Sequence, residues 1–244
     1  MISDASGFTF RAPPVLSRVR RVLIKPSASY PALYPVTTSR QMLAAVIGGI
    51  RSVSDADILI LEGTPDSSSI YPVYQALDYN FQRVLMLDVR DSILVEVENP
   101  LPKPLAMPTF WIPNVILSAD YLISVAPLKI IRDQPWFTIM NLLTLLPSSK
   151  YDGGRGGGGW GALFDLGIEK VITDLYFTLP FDLGIIEGRE EFVSEGDPLQ
   201  GKIEPYDRIF TGEPFEIDSE AAQTLGLHAE YLNLIKEVKV GLGA

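Results

Sequence analysis

Short, almost wholly apolar segments recur along this chain, and they limit its fold more than any other feature. They are VLIKPSAS (22–29), DADILILEG (55–63), RVLMLD (83–88) and ADYLISVAPLK (119–129). Such segments are typical of strands that a parallel sheet buries on both faces. SRQMLAAVIGGI (39–50) follows the first and has a serine cap with apolar residues at helical spacing. This βαβ order predicts an α/β fold with a layered, largely parallel sheet and helices on both faces.

The second half of the chain continues the alternation. WFTIMNLLTLL (136–146) is apolar nearly all round and predicts a buried helix, and residues 162–179 have the spacing of one long helix. FDLGIIEG (181–188) and DRIFTG (207–212) predict strands, and residues 213–226 predict a helix closed by a glycine. No clean linker separates the halves, so we expect a single α/β domain over the whole chain, 1–244, with residues 1–18 as an N-terminal extension.

A glycine run, YDGGRGGGGWG (151–161), is the most unusual local composition, with seven of the 20 glycines in nine positions. Gly154, Gly156 and Gly159 match the letters of G-x-G-x-x-G, but a dinucleotide fingerprint follows a strand, and a helix is predicted before this run. Without Cβ atoms, such a run either approaches a ligand closely or fails to order. We interpret it as a glycine-rich internal loop, a lid or connector anchored by Trp160.

Composition excludes several classes of chemistry. With no cysteine and one histidine, the chain is expected to hold no iron–sulfur cluster, no haem and no zinc site. The net charge of -10 argues against a nucleic-acid partner. Prolines and polar residues interrupt the longest apolar stretch, 112–128, which predicts no membrane span. The N-terminus lacks the pattern of a signal peptide, so we expect a cytoplasmic protein, whose oligomeric state stays open.

Charged residues end most of the predicted strands. These residues are Lys25, Glu62, Asp88, Lys129 and Glu187. Because the carboxyl ends of parallel strands meet at one edge, two lysines and several carboxylates there would suit a small anionic ligand, or a magnesium ion bridged to one. The alternative is that these charges only form salt bridges with one another.

Asp218 lies near the start of a predicted helix. It follows EPFEI (213–217) and precedes SEAAQTLG (219–226). Helix capping is the favoured interpretation, with a site acid as the alternative.

Several longer stretches together resemble one known family. They include IKPSASYPALYPVTTSRQ, SADYLISVAPLK, DLGIEKVITDLYFTLPFDLGIIEG and IFTGEPFEIDSEAAQTLG, and they occur in order from about residue 20 onward. The chain resembles the bacterial and archaeal domain-of-unknown-function family 362. Members are often fused to iron–sulfur modules, which this cysteine-free chain lacks.

The resemblance implies a set of site residues. Lys25, Lys129, Asn141 and Asp218 match the family pattern, and Glu187 stands where the family has aspartate. Other positions depart from it: Ser27 replaces an asparagine, Ile131 a histidine and Met140 a lysine. Loss of two titratable groups would alter acid–base chemistry, so whether the chain is an enzyme stays open.

Two functions are compatible with these observations. The first is binding of a small anionic or metal-bridged ligand at the strand ends, where Lys25 and Lys129 would contact the anion. Glu62, Glu187 and Asp218 would then be polar or metal contacts. The second is a noncatalytic scaffold or assembly factor, which predicts a broad exposed apolar patch that includes tryptophans, namely Trp111, Trp136 or Trp160.

Overall fold

The computed structural model describes residues 1–154 and 159–243. Its strands are β1 (Ile2–Asp4), β2 (Arg21–Pro26), β3 (Asp57–Glu62), β4 (Val84–Asp88), β5 (Leu94–Glu98), β6 (Thr109–Pro113), β7 (Tyr121–Ile131), β8 (Gln134–Pro135), β9 (Leu183–Ser194) and β10 (Lys202–Gly212). Its helices are α1 (Arg40–Arg51), α2 (Tyr71–Ala76), α3 (Asn114–Leu117), α4 (Ser148–Tyr151), α5 (Gly161–Asp165), α6 (Ile168–Thr178), α7 (Pro214–Thr224) and α8 (Glu230–Leu242). Three 3-10 helices complete it: Ala5–Gly7, Pro14–Ser17 and Met140–Leu145.

One sheet organises the molecule, with strand order β1-β10-β9-β7-β2-β3-β4 and β8 added to β7. The five strands from β9 to β4 run parallel, while β10 pairs antiparallel with β9, and β1 pairs antiparallel with β10 at the sheet edge opposite β4. The strands β5 and β6 form a separate antiparallel pair. The predicted α/β fold with a mostly parallel sheet is therefore confirmed.

Two apolar cores, one on each face of the sheet, explain the unbroken apolar strands. In β3, Leu59 and Leu61 belong to one core, whereas Ile58 and Ile60 belong to the other. The first core includes apolar residues of α6, α7 and α8, and the second includes those of α1 and α2. Since successive strand residues point to opposite faces, a strand covered on both sides must be apolar throughout.

The long helix predicted over 162–179 is two helices, α5 and α6. Gly167 separates them with a φ of 88°, a left-handed backbone conformation that glycine adopts most readily. The helical spacing on either side is correct, but a helix cannot continue through that conformation.

The buried helix predicted over 136–146 is also shorter than expected. Only Met140–Leu145 is helical, with 3-10 geometry, and Pro147 follows it closely. The backbone N–H groups of Thr138 and Ile139 donate to a carboxylate of α7 instead of to helical carbonyls. A contact from far along the chain thus replaces local helical bonding.

The strands β7 and β9 extend beyond their predicted ends, so Lys129 and Glu187 are internal to strands. Pro127 pairs with Glu187 and Leu128 with Glu191, which makes 188–190 a bulge in β9. The charged stretch after Gly188 looks like a loop in the sequence. In an antiparallel pair with β10, one face can meet solvent and carry such charges.

Candidate ligand-binding site

A cavity of about 470 Å³ lies beyond the carboxyl end of β2 and beside the end of β7. The loop after β2, the turn between β7 and β8, the Met140–Leu145 helix, α5, α6 and α8 bound it. This volume is in the range of small-molecule sites. The polar side chains in its lining include Lys129, Arg132, Asn141, Thr144 and Glu169, and the apolar ones include Trp136, Leu143, Trp160, Phe164 and Ile168.

Lys25 lies behind the cavity in a closed network. Its Nζ donates to Glu62 Oε2 at 2.8 Å, to Asn141 Oδ1 at 3.1 Å and to the Pro26 carbonyl at 2.6 Å. An ammonium has three N–H groups, so all of them are used. Burial lowers the pKa of Lys25, and the adjacent Glu62 carboxylate acts in the opposite direction. The predicted anion contact therefore has no free donor for a ligand.

Glu62 is equally saturated. One carboxylate oxygen accepts from Lys25 and from the Ala28 N–H at 2.8 Å. The other accepts from the Gly63 N–H at 2.9 Å and from Thr144 Oγ1 at 2.5 Å. Four donors fill the acceptor sites of a carboxylate.

Asn141 joins this network to the cavity wall. Its Oδ1 accepts from Lys25, and its Nδ2 donates to the Lys25 carbonyl and to Ser124 Oγ, both at 3.1 Å. The side chain therefore crosslinks β2, β7 and the Met140–Leu145 helix. Of the predicted site residues, the structure brings Lys25, Glu62 and Asn141 into direct contact.

Lys129 is the exception among the buried charges. It is 6% exposed, lines the cavity, and its Nζ donates to the Val36 carbonyl at 3.2 Å. Within residues 1–154 and 159–243 it has no ion-pair partner and no second protein acceptor, so two of its three ammonium hydrogens are available to a ligand. Burial lowers the pKa of Lys129 to about 8; the charge of Glu62 raises it and that of Lys25 lowers it.

Arg132 lines the cavity from the turn after β7, and it is not among the site residues predicted from the sequence. Arg132 and Asp133 both have positive φ, 51° and 58°, which reverses the chain into β8. The guanidinium approaches Gly196 so closely that a Cβ there would lie 2.7 Å from Arg132 Nε. The charged pair Arg132-Asp133 after an apolar strand was the available sequence signal for this turn.

Glu187 does not line the cavity. Its carboxylate accepts from the backbone N–H of Ser39 at 2.9 Å and from Ser39 Oγ at 2.6 Å, at the start of α1. Arg189 lies 3.3 Å away as an ion-pair partner. Burial raises the pKa of Glu187, and the Ser39 and Arg189 contacts oppose that rise. An acid at a helix N-terminus that also contacts the capping serine has a structural role here.

Asp218 does not cap its own helix, and that interpretation is wrong. Glu213 caps α7, and Asp218 lies within the helix, fully buried. Asp218 accepts from Thr138 N–H and Oγ1, from Ile139 N–H and from the Tyr231 hydroxyl. Burial raises its pKa to about 7 against the effect of these hydrogen bonds. Asp218 thus fixes the segment that leads into the Met140–Leu145 helix.

The carboxylates are not grouped in a way that would bind a metal ion by themselves. In the described parts of the chain, no group of three or more His, Asp or Glu side chains is positioned to hold one. Glu62 and Asp218 each accept four hydrogen bonds already. The expected magnesium site is therefore compatible with these residues only as an ion carried by a bound ligand.

Trp160 fixes the carboxyl-terminal end of the glycine run. It is buried, and its Nε1 donates to the Leu146 carbonyl at 2.9 Å while its ring lines the cavity. Gly154 and Gly159 both have positive φ. Gly156 and the centre of the predicted lid lie outside the described residues.

The fold and the cavity together define an α/β protein with a lined pocket where its parallel strands end. The chain is similar in structure to the lactate racemase apoprotein from Thermoanaerobacterium thermosaccharolyticum, with a TM-score of 0.56 and 15% sequence identity. The similarity covers 91% of this chain and 53% of that chain, so this chain spans about half of the length of the racemase. At this identity the similarity shows the fold alone.

The sequence comparisons do not assign the chain to a family. No family model matches the chain, and no curated protein matches its sequence. No helix in the described residues is long and apolar enough to cross a membrane.

Proposed function

We propose that this protein binds a small organic anion in the cavity beside β7, with the Lys129 ammonium as the anion contact. The proposal rests on the burial and the hydrogen bonding of Lys129. Lys129 is a buried lysine that lines a cavity and has one backbone acceptor and no ion-pair partner in the described residues. A buried cation without a counter-charge is unfavourable, and a bound anion supplies that charge.

The other predicted residues support the site from behind. Asn141 and Thr144 form part of the cavity wall, and both hydrogen bond to the Lys25–Glu62 pair. In this proposal, Lys25 and Glu62 position the wall and do not touch the ligand. Such buried, fully bonded support holds a binding wall in one geometry.

Two resemblances are compatible with this proposal. The sequence resemblance to domain-of-unknown-function family 362 includes Lys25, Lys129 and Asn141; Lys129 and Asn141 line the cavity, and Lys25 hydrogen bonds to Asn141. The structural neighbour is named for lactate, a small carboxylate. We extend to this chain only the class of a small anion, including one that carries a magnesium ion.

The scaffold alternative has less support. It predicts a broad exposed apolar patch, and the tryptophans considered for it do not form one, because Trp160 is buried and Trp111 and Trp136 are half-buried. Lys150 also covers Trp111, with its Nζ 4.8 Å from the ring centroid.

Calorimetric titration of the full chain with acetate, succinate, hexanoate and phosphate, each with and without magnesium chloride, tests the proposal. We expect at least one anion to bind. Replacing Lys129→Met should weaken that binding by roughly tenfold to 100-fold, because a charge-assisted hydrogen bond is lost. The matched control is Lys103→Met, which removes an exposed lysine outside the cavity lining and should leave binding unchanged.

Two results would overturn the proposal. One is that no anion binds the wild-type chain under any condition. The other is that Lys129→Met and Lys103→Met weaken binding equally, since the effect would then come from net charge.

A further inference from the structure

We infer that the ligand is a monocarboxylate with an apolar body, and not a phosphate or a dicarboxylate. This inference rests on the proposed function, because it assumes that an anion occupies the cavity at Lys129. It deepens that function by naming the part of the ligand that lies away from the charge.

The charged side chains that line the cavity favour a ligand with a single negative group. Lys129 is the one buried cation in the described lining, since Arg132 is exposed. Glu169 also lines the cavity and would repel a second anionic group. One carboxylate neutralises one ammonium, whereas a doubly charged group would leave a buried excess of negative charge.

Much of the remaining cavity lining is apolar. Trp136, Leu143, Phe164 and Ile168 contribute to this apolar part from separate elements. A ligand that is polar throughout would lose its water against these surfaces without gaining hydrogen bonds. An aliphatic or aromatic body instead gains from burial in proportion to its apolar area.

Phe164 offers a direct probe of this wall. It lines the cavity but is 47% exposed, so truncating it leaves no buried void. Leu166, two residues further, is similarly exposed at 48% and does not line the cavity. Phe164→Ala and Leu166→Ala therefore form a matched pair of variants.

The test is calorimetric titration of the full chain with acetate, butyrate, hexanoate, 3-phenylpropionate, succinate, phosphate and hexylamine. We expect affinity to rise by about fourfold for each added methylene, or about 15-fold from butyrate to hexanoate. Phe164→Ala should weaken hexanoate and 3-phenylpropionate by several-fold and leave acetate unchanged. Leu166→Ala should change none of them.

The possible failures are distinguishable. If phosphate or succinate binds more tightly than hexanoate, or if chain length has no effect, the apolar-body inference is overturned while anion binding stands. Equal weakening by Phe164→Ala and Leu166→Ala overturns the assignment of the apolar wall. Binding of hexylamine as tight as that of hexanoate, or no binding of any probe, overturns the proposed function as well.

Discussion

Lys25 and Lys129 lie on neighbouring strands, are both buried, and yet are in opposite electrostatic situations. Lys25 has three acceptors, of which one is the Glu62 carboxylate, and is 0% exposed. Lys129 has one backbone acceptor and lines a cavity. Burial of a charge at strand ends therefore does not define a binding residue. What distinguishes the two lysines is the hydrogen-bonding capacity that the folded chain leaves unused.

The largest expected effect concerns the closed network around Lys25. Glu62→Gln should lower the free energy of unfolding by about 3–5 kcal/mol, because it leaves the Lys25 charge buried without its partner. Denaturant titration followed by circular dichroism measures this change, and Lys129→Met is the comparison variant. We expect Lys129→Met not to be destabilised in this way, since it removes an ammonium that forms no ion pair with the described residues.

If Lys129→Met lost more unfolding free energy than Glu62→Gln, the conclusion that Lys25 is charge-paired and Lys129 is not would be wrong. A Glu62→Gln protein as stable as the wild type would mean that Lys25 is not held as a charged pair. A large loss in Lys129→Met would mean that Lys129 has a structural partner of its own.

A second prediction uses the pKa of Lys129, which burial lowers from its ordinary 10.5 to about 8. Between these values the unfolded chain holds a proton that the folded chain has released, so stability rises with pH. The gain is about 3 kcal/mol, from about 1.4 kcal/mol for each pH unit. The buried Lys129 ammonium thus lowers the free energy of unfolding fully below pH 8, and this loss is relieved as the pH rises towards 10.5.

The measurement is the difference in unfolding free energy between wild type and Lys129→Met from pH 7 to 10.5. Subtracting the unfolding free energy of the variant removes the contributions of the other lysines and the tyrosines to the pH dependence. A difference that does not change with pH would contradict the desolvation of Lys129. A saturating anion should move the rise to higher pH, because a negative charge favours the ammonium form.

Much of the fold was predictable because β2, β3 and the first part of β7 are buried on both faces, whereas the equally apolar β4 is an edge strand with Leu85 57% exposed. Their apolar runs indicate that burial directly, and the strand-end rule then placed Lys25 and Glu62 close together. The sequence did not show where β9 ends. Its charged residues after Gly188 are compatible with an exposed face of a hairpin, and that hairpin exists only through pairing with β10.

The site was harder to predict because it too depends on contacts between residues that are far apart in the sequence. Asp218 looks like a local cap, but its acceptor atoms serve Thr138 and Ile139, about 80 residues earlier in the chain. Arg132 lies at the rim of the lining because of a turn with positive φ, which its sequence signals only weakly. Saturation of Lys25 depends on Asn141, 116 residues away. Contacts of this range cannot be inferred from spacing along the chain.

The smallest expected effect concerns Thr144, which, like Asn141, belongs both to the cavity lining and to the closed network around Lys25. Thr144 lines the cavity, and its hydroxyl donates to Glu62 Oε1. Thr144→Val preserves the shape of the wall and removes a hydrogen bond to a charged group, so we expect a loss of about 1.5–3 kcal/mol in unfolding free energy. Denaturant titration measures that loss, and calorimetric titration with hexanoate measures affinity on the same variant.

Affinity for hexanoate should stay within about twofold of wild type in Thr144→Val, because valine keeps the branched shape of threonine and Lys129, the proposed anion contact, is unchanged. A loss of affinity as large as that in Lys129→Met would mean that the hydroxyl contacts the ligand and that the Lys25 network is part of the binding surface. Unchanged stability would mean that the Thr144–Glu62 hydrogen bond adds nothing to the network. The variant therefore decides whether the closed network supports the wall from behind or takes part in recognition.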